Sequence, residues 1–298
     1  MHRTLRFLLS ALVCPAILAL PTALAAQAAA PPPATAVVPY GADPIQYGKL
    51  RVPEGPGPFP VVVGVHGGCW LQSLGQGTLE PAMGALDSEG VATWTVRYRR
   101  LGHPGGGWPG TFLDVGAATD HLRVLARDYP LDLDRVVAVG HSSGAHLAGW
   151  LARRPALPED SPIRGTDPLP VGAAVVIDGP LDLAAFGASG ADAEVCGAPV
   201  IAELLGGSPD EVPDRYRQAS PAEMPPTGAW LYLAPAVMML TFEPPDGVSD
   251  ATEGMTPSPT VTPAPDSDHF QLIDPGQPAW AIVLDAIRAA VEASGGTP

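Results

Sequence analysis

Apolar residues along this chain fall into two alternating kinds of run. Val61-Val62-Val63-Gly64-Val65 and Val171-Gly172-Ala173-Ala174-Val175-Val176-Ile177 are continuous and rich in β-branched residues, as expected of strands covered on both faces. Residues 91–98 and 135–139 read the same way, and Lys49-Leu50-Arg51-Val52 alternates like an edge strand. Between them, apolar residues recur at helical spacing over 79–88, over 112–128 (Val115, Ala118, Leu122, Leu125) and over 145–152. A closing helix is expected over 278–293, with Trp280, Val283, Leu284, Ile287 and Val291 on one face. Gly/Pro-rich turns punctuate the pattern at 54–60 and 102–110. Residues 184–216 are irregular, with one short helix expected near 200–205. Strands alternating with helices predict an α/β domain: a mostly parallel central sheet, helices on both faces and a short irregular cap segment.

The first residues stand apart from that pattern. Met1-His2-Arg3-Thr4-Leu5-Arg6 is basic, and residues 7–20 are apolar but broken by Pro15. Ala23-Leu24-Ala25 and Ala26-Gln27-Ala28 offer small-x-small cleavage sites. The expectation is a signal peptide over 1–25, an Ala/Pro-rich leader over 26–44 and a folded domain over 45–298. Order is expected from near Val37 or Ile45. The apolar run is short for a stable membrane anchor, and no small-residue box precedes Cys14 as a lipoprotein would need. A secreted or periplasmic protein is therefore expected. The formal net charge of −15 argues against nucleic acid as a partner. Cys14 would leave with the signal, so Cys69 and Cys196 are expected to pair in an oxidising compartment, the alternative being two buried thiols.

Chemistry concentrates on Gly140-His141-Ser142-Ser143-Gly144, which follows the 135–139 strand and opens the 145–152 helix. Strand, tight turn with Gly at both ends, Ser in the middle, then helix: this is the layout that lifts a nucleophilic serine above a sheet edge. Such a serine needs a base, an orienting acid and oxyanion donors. His66-Gly67-Gly68 ends a buried strand upstream, and glycine lets backbone approach closely. The N–H groups of Gly67, Gly68 and Ser143 are the oxyanion candidates. Among the seven histidines, His269 follows an irregular stretch and precedes the final helix, where a general base belongs. His103, in the Gly-rich loop, is a weaker substrate-side candidate, and His121, His141 and His146 read as structural.

Together these residues resemble an α/β-hydrolase of the esterase/lipase group, in the branch of bacterial esterases, feruloyl-esterase-like and kynurenine-formamidase-like proteins. The resemblance is carried by His66-Gly67-Gly68-Cys69-Trp70, Val96-Arg97-Tyr98-Arg99, Trp108-Pro109-Gly110 with Asp114-Val115, and the 140–144 elbow. Leu204-Leu205-Gly206-Gly207-Ser208-Pro209, Arg215-Tyr216, Ala219-Ser220-Pro221 and His269-Phe270 extend it, from Ile45 to Ala290 with one break. The resemblance implies a Ser–His–Asp triad, no metal or cofactor, and hydrolysis of a small ester or amide. Carried over, Ser142 is the nucleophile and His269 the base. Trp70, Trp108 and the 184–216 segment are candidates to line or cap an acyl pocket, with structural packing the equal alternative for both tryptophans.

The break falls at 229–265. A relative of this family should carry its acid in a loop after the strand that follows Ser220-Pro221, close to Met238 or Met239. In its place come Pro235-Ala236-Val237-Met238-Met239-Leu240 and a Pro/Thr-rich stretch. Met238-Met239 can only be ATG-ATG, which contains the Asp codon GAT in another frame, so two compensating frame shifts would account for the stretch. Taken as written, Glu243, Asp246 and Asp250 lie within it, and Asp182 follows the preceding strand. The expected function is a secreted serine hydrolase acting on a carboxylic ester through an acyl-enzyme on Ser142. The alternatives are an amide hydrolase, of aryl formamidase or peptidase type, and an impaired binding protein without a triad acid.

Overall fold

The computed structural model describes residues 34–236, 238, 239, 255 and 257–295. The expected signal peptide, and Glu243, Asp246 and Asp250, lie outside the described residues. The strands form one eight-stranded sheet in the order β1-β2-β4-β3-β5-β6-β7-β8. They are β1 (Ala36–Pro39), β2 (Tyr47–Arg51), β3 (Phe59–Val65), β4 (Ala92–Val96), β5 (Leu131–His141), β6 (Ala173–Ile177), β7 (Trp230–Ala234) and β8 (Thr260–Val261). From β4 to β8 every pairing is parallel, and β2 alone runs against the others, antiparallel to both β1 and β4.

Side chains of successive strand residues point to opposite faces, and this divides the core in two. Val61, Val63, Val65, Val136, Ala138, Ala174 and Val176 join the cluster under α2 (Gly110–Asp120) and α4 (Ser143–Arg153). Val62, Val137, Val139, Ala173, Val175 and Ile177 join the other, with α1 (Glu80–Ala85) and α9 (Trp280–Ser294). Neither face of the central strands β3, β4 and β6 is exposed to water, which is why their runs are continuously apolar rather than alternating. Every residue of α4 is buried. Each fully buried Leu there, such as Leu147 or Leu151, contributes about 1.5–3 kcal/mol. Among the described residues no helix is long and apolar enough to cross a membrane.

Four sequence expectations need correction. Strand β1 falls inside the expected leader, so the sheet begins at Ala36. Strand β2 is not an edge: it pairs with β1 on one side and β4 on the other. Its Lys49 and Arg51 alternate because both reach Glu80 on α1, at 3.1 and 2.8 Å. The 112–128 helix is two helices, α2 and α3 (Leu122–Leu125). The irregular 184–216 segment holds four short helices: α5 (Leu183–Ala188), α6 (Ala191–Cys196), α7 (Ile201–Leu205) and α8 (Pro213–Ala219). None exceeds seven residues, too few for a helical period to show in the sequence. The altered stretch opens with a regular strand, since β7 continues the parallel ladder from Ala173↔Trp230 to Ile177↔Ala234.

Candidate active site

Ser142 sits at the turn between β5 and α4 with φ 58° and ψ −129°, a region that costs a residue other than glycine about 1–3 kcal/mol. The turn closes tightly. A Cβ on Gly140 would lie 2.0 Å from the carbonyl oxygen of Gly144, and one on Gly144 would lie 2.1 Å from that of Val65. The Ser142 amide donates to the carbonyl of Ile177, 2.9 Å away, tying the turn to the end of β6.

That end of β6 carries the residue the sequence reading missed. Asp178 directly follows Ile177, is fully buried, and has φ 45°. Its Oδ2 accepts the Nδ1–H of His269 at 2.6 Å. Its Oδ1 accepts the amides of Ala236 and Met239, both at 2.8 Å, and Oδ2 also accepts the Met238 amide at 3.3 Å. Burial alone would push the carboxyl up. The His269 bond and the Met239 and Ala236 amides outweigh it and hold the group below the ordinary aspartate value. A carboxylate on Nδ1 fixes the ring with its proton there, leaving Nε2 free to accept. The place where an Asp was expected, at Met238 and Met239, instead supplies backbone donors to an Asp from the neighbouring strand.

Asp182, the described member of the expected acid set, is elsewhere engaged: it caps α5, its Oδ1 accepting the Ala185 amide at 2.9 Å. One signal pointed to Asp178. An aspartate that ends five buried strand residues and precedes Gly179 has no local reason to be there.

His141 faces the same centre. Its Nε2–H donates to the carbonyl of His269 at 2.7 Å, and the two rings lie 4.2 Å apart. Burial first, then the neighbouring His269, pushes His141 down to about 3, so it is a neutral donor near pH 7. The other described histidines are structural in this geometry. Burial pushes His66 down to about 3, and its Nδ1–H donates to the carbonyl of Gly67. His146 is pushed down to about 4 and is held on the carbonyl of Ala219. His121 packs on Trp94, and Nδ1 of His103 accepts the amide of Arg100.

The loop after β3 runs through three consecutive left-handed residues, Gly68 (φ 110°), Cys69 (φ 53°) and Trp70 (φ 54°). It is pinned from several sides. The Trp70 amide donates to Ser143 Oγ at 3.3 Å, the Leu101 amide to the Trp70 carbonyl at 2.8 Å, and Tyr98 to the His66 carbonyl at 2.7 Å. Arg100 Nη1 holds the carbonyls of Leu71 and Leu74. A disulfide joins Cys69 to Cys196 at the end of α6. The amides of Gly68 and Cys69 meet no acceptor among the described residues, and that of Ser143 opens α4, where helix N–H groups lack partners. Gly68, Cys69 and Ser142 line one cavity of about 250 Å³ that also holds His269. Gly67 lines no cavity beside Ser142; its α-carbon packs under the turn, where a Cβ would lie 2.7 Å from the His141 carbonyl oxygen. Trp70 reaches the site, whereas Trp108 packs on Phe112 and Arg215 and lines neither space beside Ser142.

The family model BD-FAE matches residues 51–224, more than half of the chain. The chain belongs to the BD-FAE family. The match ends just before the altered stretch. A probable carboxylic ester hydrolase, LipM, of Mycobacterium tuberculosis is 29% identical over 106 residues, covering 36% of this chain and 24% of that protein. The chain thus matches about a quarter of the length of that relative. Among solved structures, esterase B from Lactobacillus rhamnosis superposes with a TM-score of 0.72 at 20% identity, over 87% of this chain and 84% of that one. A truncated carbohydrate esterase from gut microbiota gives 0.69 at 19% identity, over 88% and 98%. The fold is the α/β-hydrolase fold.

Proposed function

We propose that this BD-FAE member is a serine hydrolase of carboxylic esters. The observation that carries the reading is the His269–Asp178 bond beside Ser142. It sets the imidazole with Nδ1 protonated and Nε2 bare, the tautomer that can take a proton from a serine hydroxyl. In this reading Ser142 Oγ attacks the ester carbonyl carbon while its proton passes to His269 Nε2. The carbonyl oxygen becomes negative and is held by the amides of Gly68, Cys69 and Ser143, beside the positive end of α4. The carbon–oxygen bond to the alcohol breaks, and His269 returns the proton to the departing oxygen. Water then attacks the acyl-enzyme, again giving its proton to His269, and Ser142 is regenerated as the acid leaves.

Support also comes from esterase relatives in both comparisons. The impaired-binder alternative rested on a missing acid, and Asp178 in contact with His269 removes that ground. We place the protein outside the cytoplasm, a reading supported by the basic and apolar opening residues and by a disulfide that needs an oxidising compartment. N-terminal sequencing of protein recovered from the culture medium and periplasm checks this; an intact Met1 in the cytoplasmic fraction alone defeats it. For the chemistry, p-nitrophenyl acetate turnover and fluorophosphonate labelling are measured on the wild type and on Ser142→Ala. Well-folded wild type that takes no label overturns the enzyme reading.

A further inference from the structure

Ser142 opens onto two unequal spaces. One, of about 10 Å³, is lined by Trp70, Ser143, Pro180, Phe186 and Met238. The other, of about 250 Å³, is lined by Leu74, Thr78, His269 and Phe270. Val195 borders both. Its neighbour Cys196 is bonded to Cys69, so the partition is covalently fixed to the loop that faces the reacting carbonyl.

The two spaces have different chemical duties. The leaving oxygen of an ester must meet the proton held by His269, so the alcohol half extends on the His269 side. The acyl half is left with the small space. A single water-sized group needs roughly 10–15 Å³, so that space admits about one methyl group beyond the carbonyl. The alcohol side is ringed by apolar side chains that are unusually open to solvent: Phe270 is 59% exposed, Leu74 44% and Val195 38%. No Asp, Glu, Lys or Arg lines either space among the described residues. The alcohol that Phe270, Leu74 and Val195 fit is apolar rather than rich in hydroxyls.

We propose, resting on the esterase reading above, that the site is specific for acetyl-sized esters of bulky apolar alcohols. Phe186 and Val195 set the acyl limit, and Phe270 and Leu74 receive the alcohol.

The test compares kcat/KM for p-nitrophenyl acetate, butyrate and hexanoate, for cyclohexylmethyl acetate against 6-O-acetylglucose, and for 1-naphthyl acetate against methyl acetate. The wild type is expected to prefer acetate over butyrate by about tenfold or more, as one or two surplus methylenes in a tight pocket cost. Val195→Ala and Phe186→Leu are expected to raise the butyrate-to-acetate ratio several-fold. Phe270→Ser is expected to lower kcat/KM for 1-naphthyl acetate several-fold more than for methyl acetate. Wild-type rates that hold level or rise from acetate to hexanoate overturn the acyl limit without any variant. 6-O-acetylglucose outpacing cyclohexylmethyl acetate, both esters of primary alcohols, overturns the alcohol half. Fluorophosphonate labelling separates the two levels. A labelled enzyme with the opposite preferences defeats this inference alone, and an unlabelled one defeats the esterase reading and this inference with it.

Discussion

Replacing Asp178 by Asn separates the acid seen in the fold from those suggested by the sequence. The carboxylate accepts four hydrogen bonds: the amides of Ala236 and Met239 on Oδ1, and the His269 ring and the Met238 amide on Oδ2. In Asp178→Asn the amide oxygen can stay on Ala236 and Met239. The amide nitrogen then faces His269 Nδ1, donor against donor, and the ring relieves the clash by moving its proton to Nε2. That tautomer cannot take the Ser142 proton. Loss of an orienting aspartate by this route costs on the order of 10⁴ in kcat, which is about 5.5 kcal/mol of barrier. KM should barely move, because Asp178 is buried behind His269 and touches no substrate. Losing the charge-assisted bonds should cost stability on the order of 1–3 kcal/mol. The assay is kcat and KM for p-nitrophenyl acetate beside a urea unfolding curve, for Asp178→Asn, Asp182→Ala, Asp246→Ala and Asp250→Ala. Asp182→Ala should lose only its helix cap, about 1 kcal/mol of stability. A folded Asp178→Asn enzyme that keeps more than about a tenth of kcat, or an Asp246→Ala or Asp250→Ala enzyme that loses it, refutes the assignment.

His141→Ala removes the donor to the His269 carbonyl and should lower kcat about tenfold or less, in line with one hydrogen bond of about 1 kcal/mol, while fluorophosphonate still labels Ser142. His66, His141 and His146 are held at about 3, 3 and 4 when folded, against 6.5 unfolded. The unfolded chain thus binds more protons below pH 6.5, and stability should be full above that pH and fall by as much as about 4 kcal/mol per unit toward pH 4; urea midpoints that stay level between pH 7 and 5 would contradict this. Changing Cys69 and Cys196 to Ser together should lower unfolding free energy by about 2–5 kcal/mol, read from urea curves, because the bond closes a separation of 127 residues. Met239→Leu should leave kcat nearly unchanged, whereas Met239→Pro, which lacks the N–H given to Asp178, should lower it about tenfold; equal effects of the two would mean that the side chain and not the amide matters.

What the sequence made legible was local. Gly140 and Gly144 announce a turn that only glycine fits, and a buried strand before it places Ser142 without reference to anything distant. His269 stands out as a candidate by its position ahead of the last helix, and the Cys69–Cys196 bond follows from pairing the two cysteines beyond the expected leader. What stayed hidden depends on meetings between remote segments. Lys49 and Arg51 looked like the solvent side of an edge strand because Glu80, which neutralises them, lies about thirty residues away on α1. The short helices α5 to α8 are held by packing and by the disulfide rather than by any period of their own. Asp178 belongs with these, because its bond to His269 forms only when segments ninety-one residues apart meet in the fold.

The position of the acid also explains how an unusual stretch can coexist with an ordered site. Ser142 and Asp178 follow residues paired in the sheet, His141↔Ile177, and the Ser142 amide bonds to the Ile177 carbonyl. Ser142 and Asp178 therefore leave adjacent strands side by side, each with positive φ. His269 needs only to reach across that pair, with His141 holding its carbonyl. Among the described residues after β7, Ala236, Met238 and Met239 share one duty, to bring their amides up to the carboxylate. Backbone N–H groups are the same in every residue but proline, so this duty makes almost no demand on sequence. Ala236, Met238 and Met239 can therefore hold the carboxylate of Asp178 with backbone alone, whatever side chains they carry.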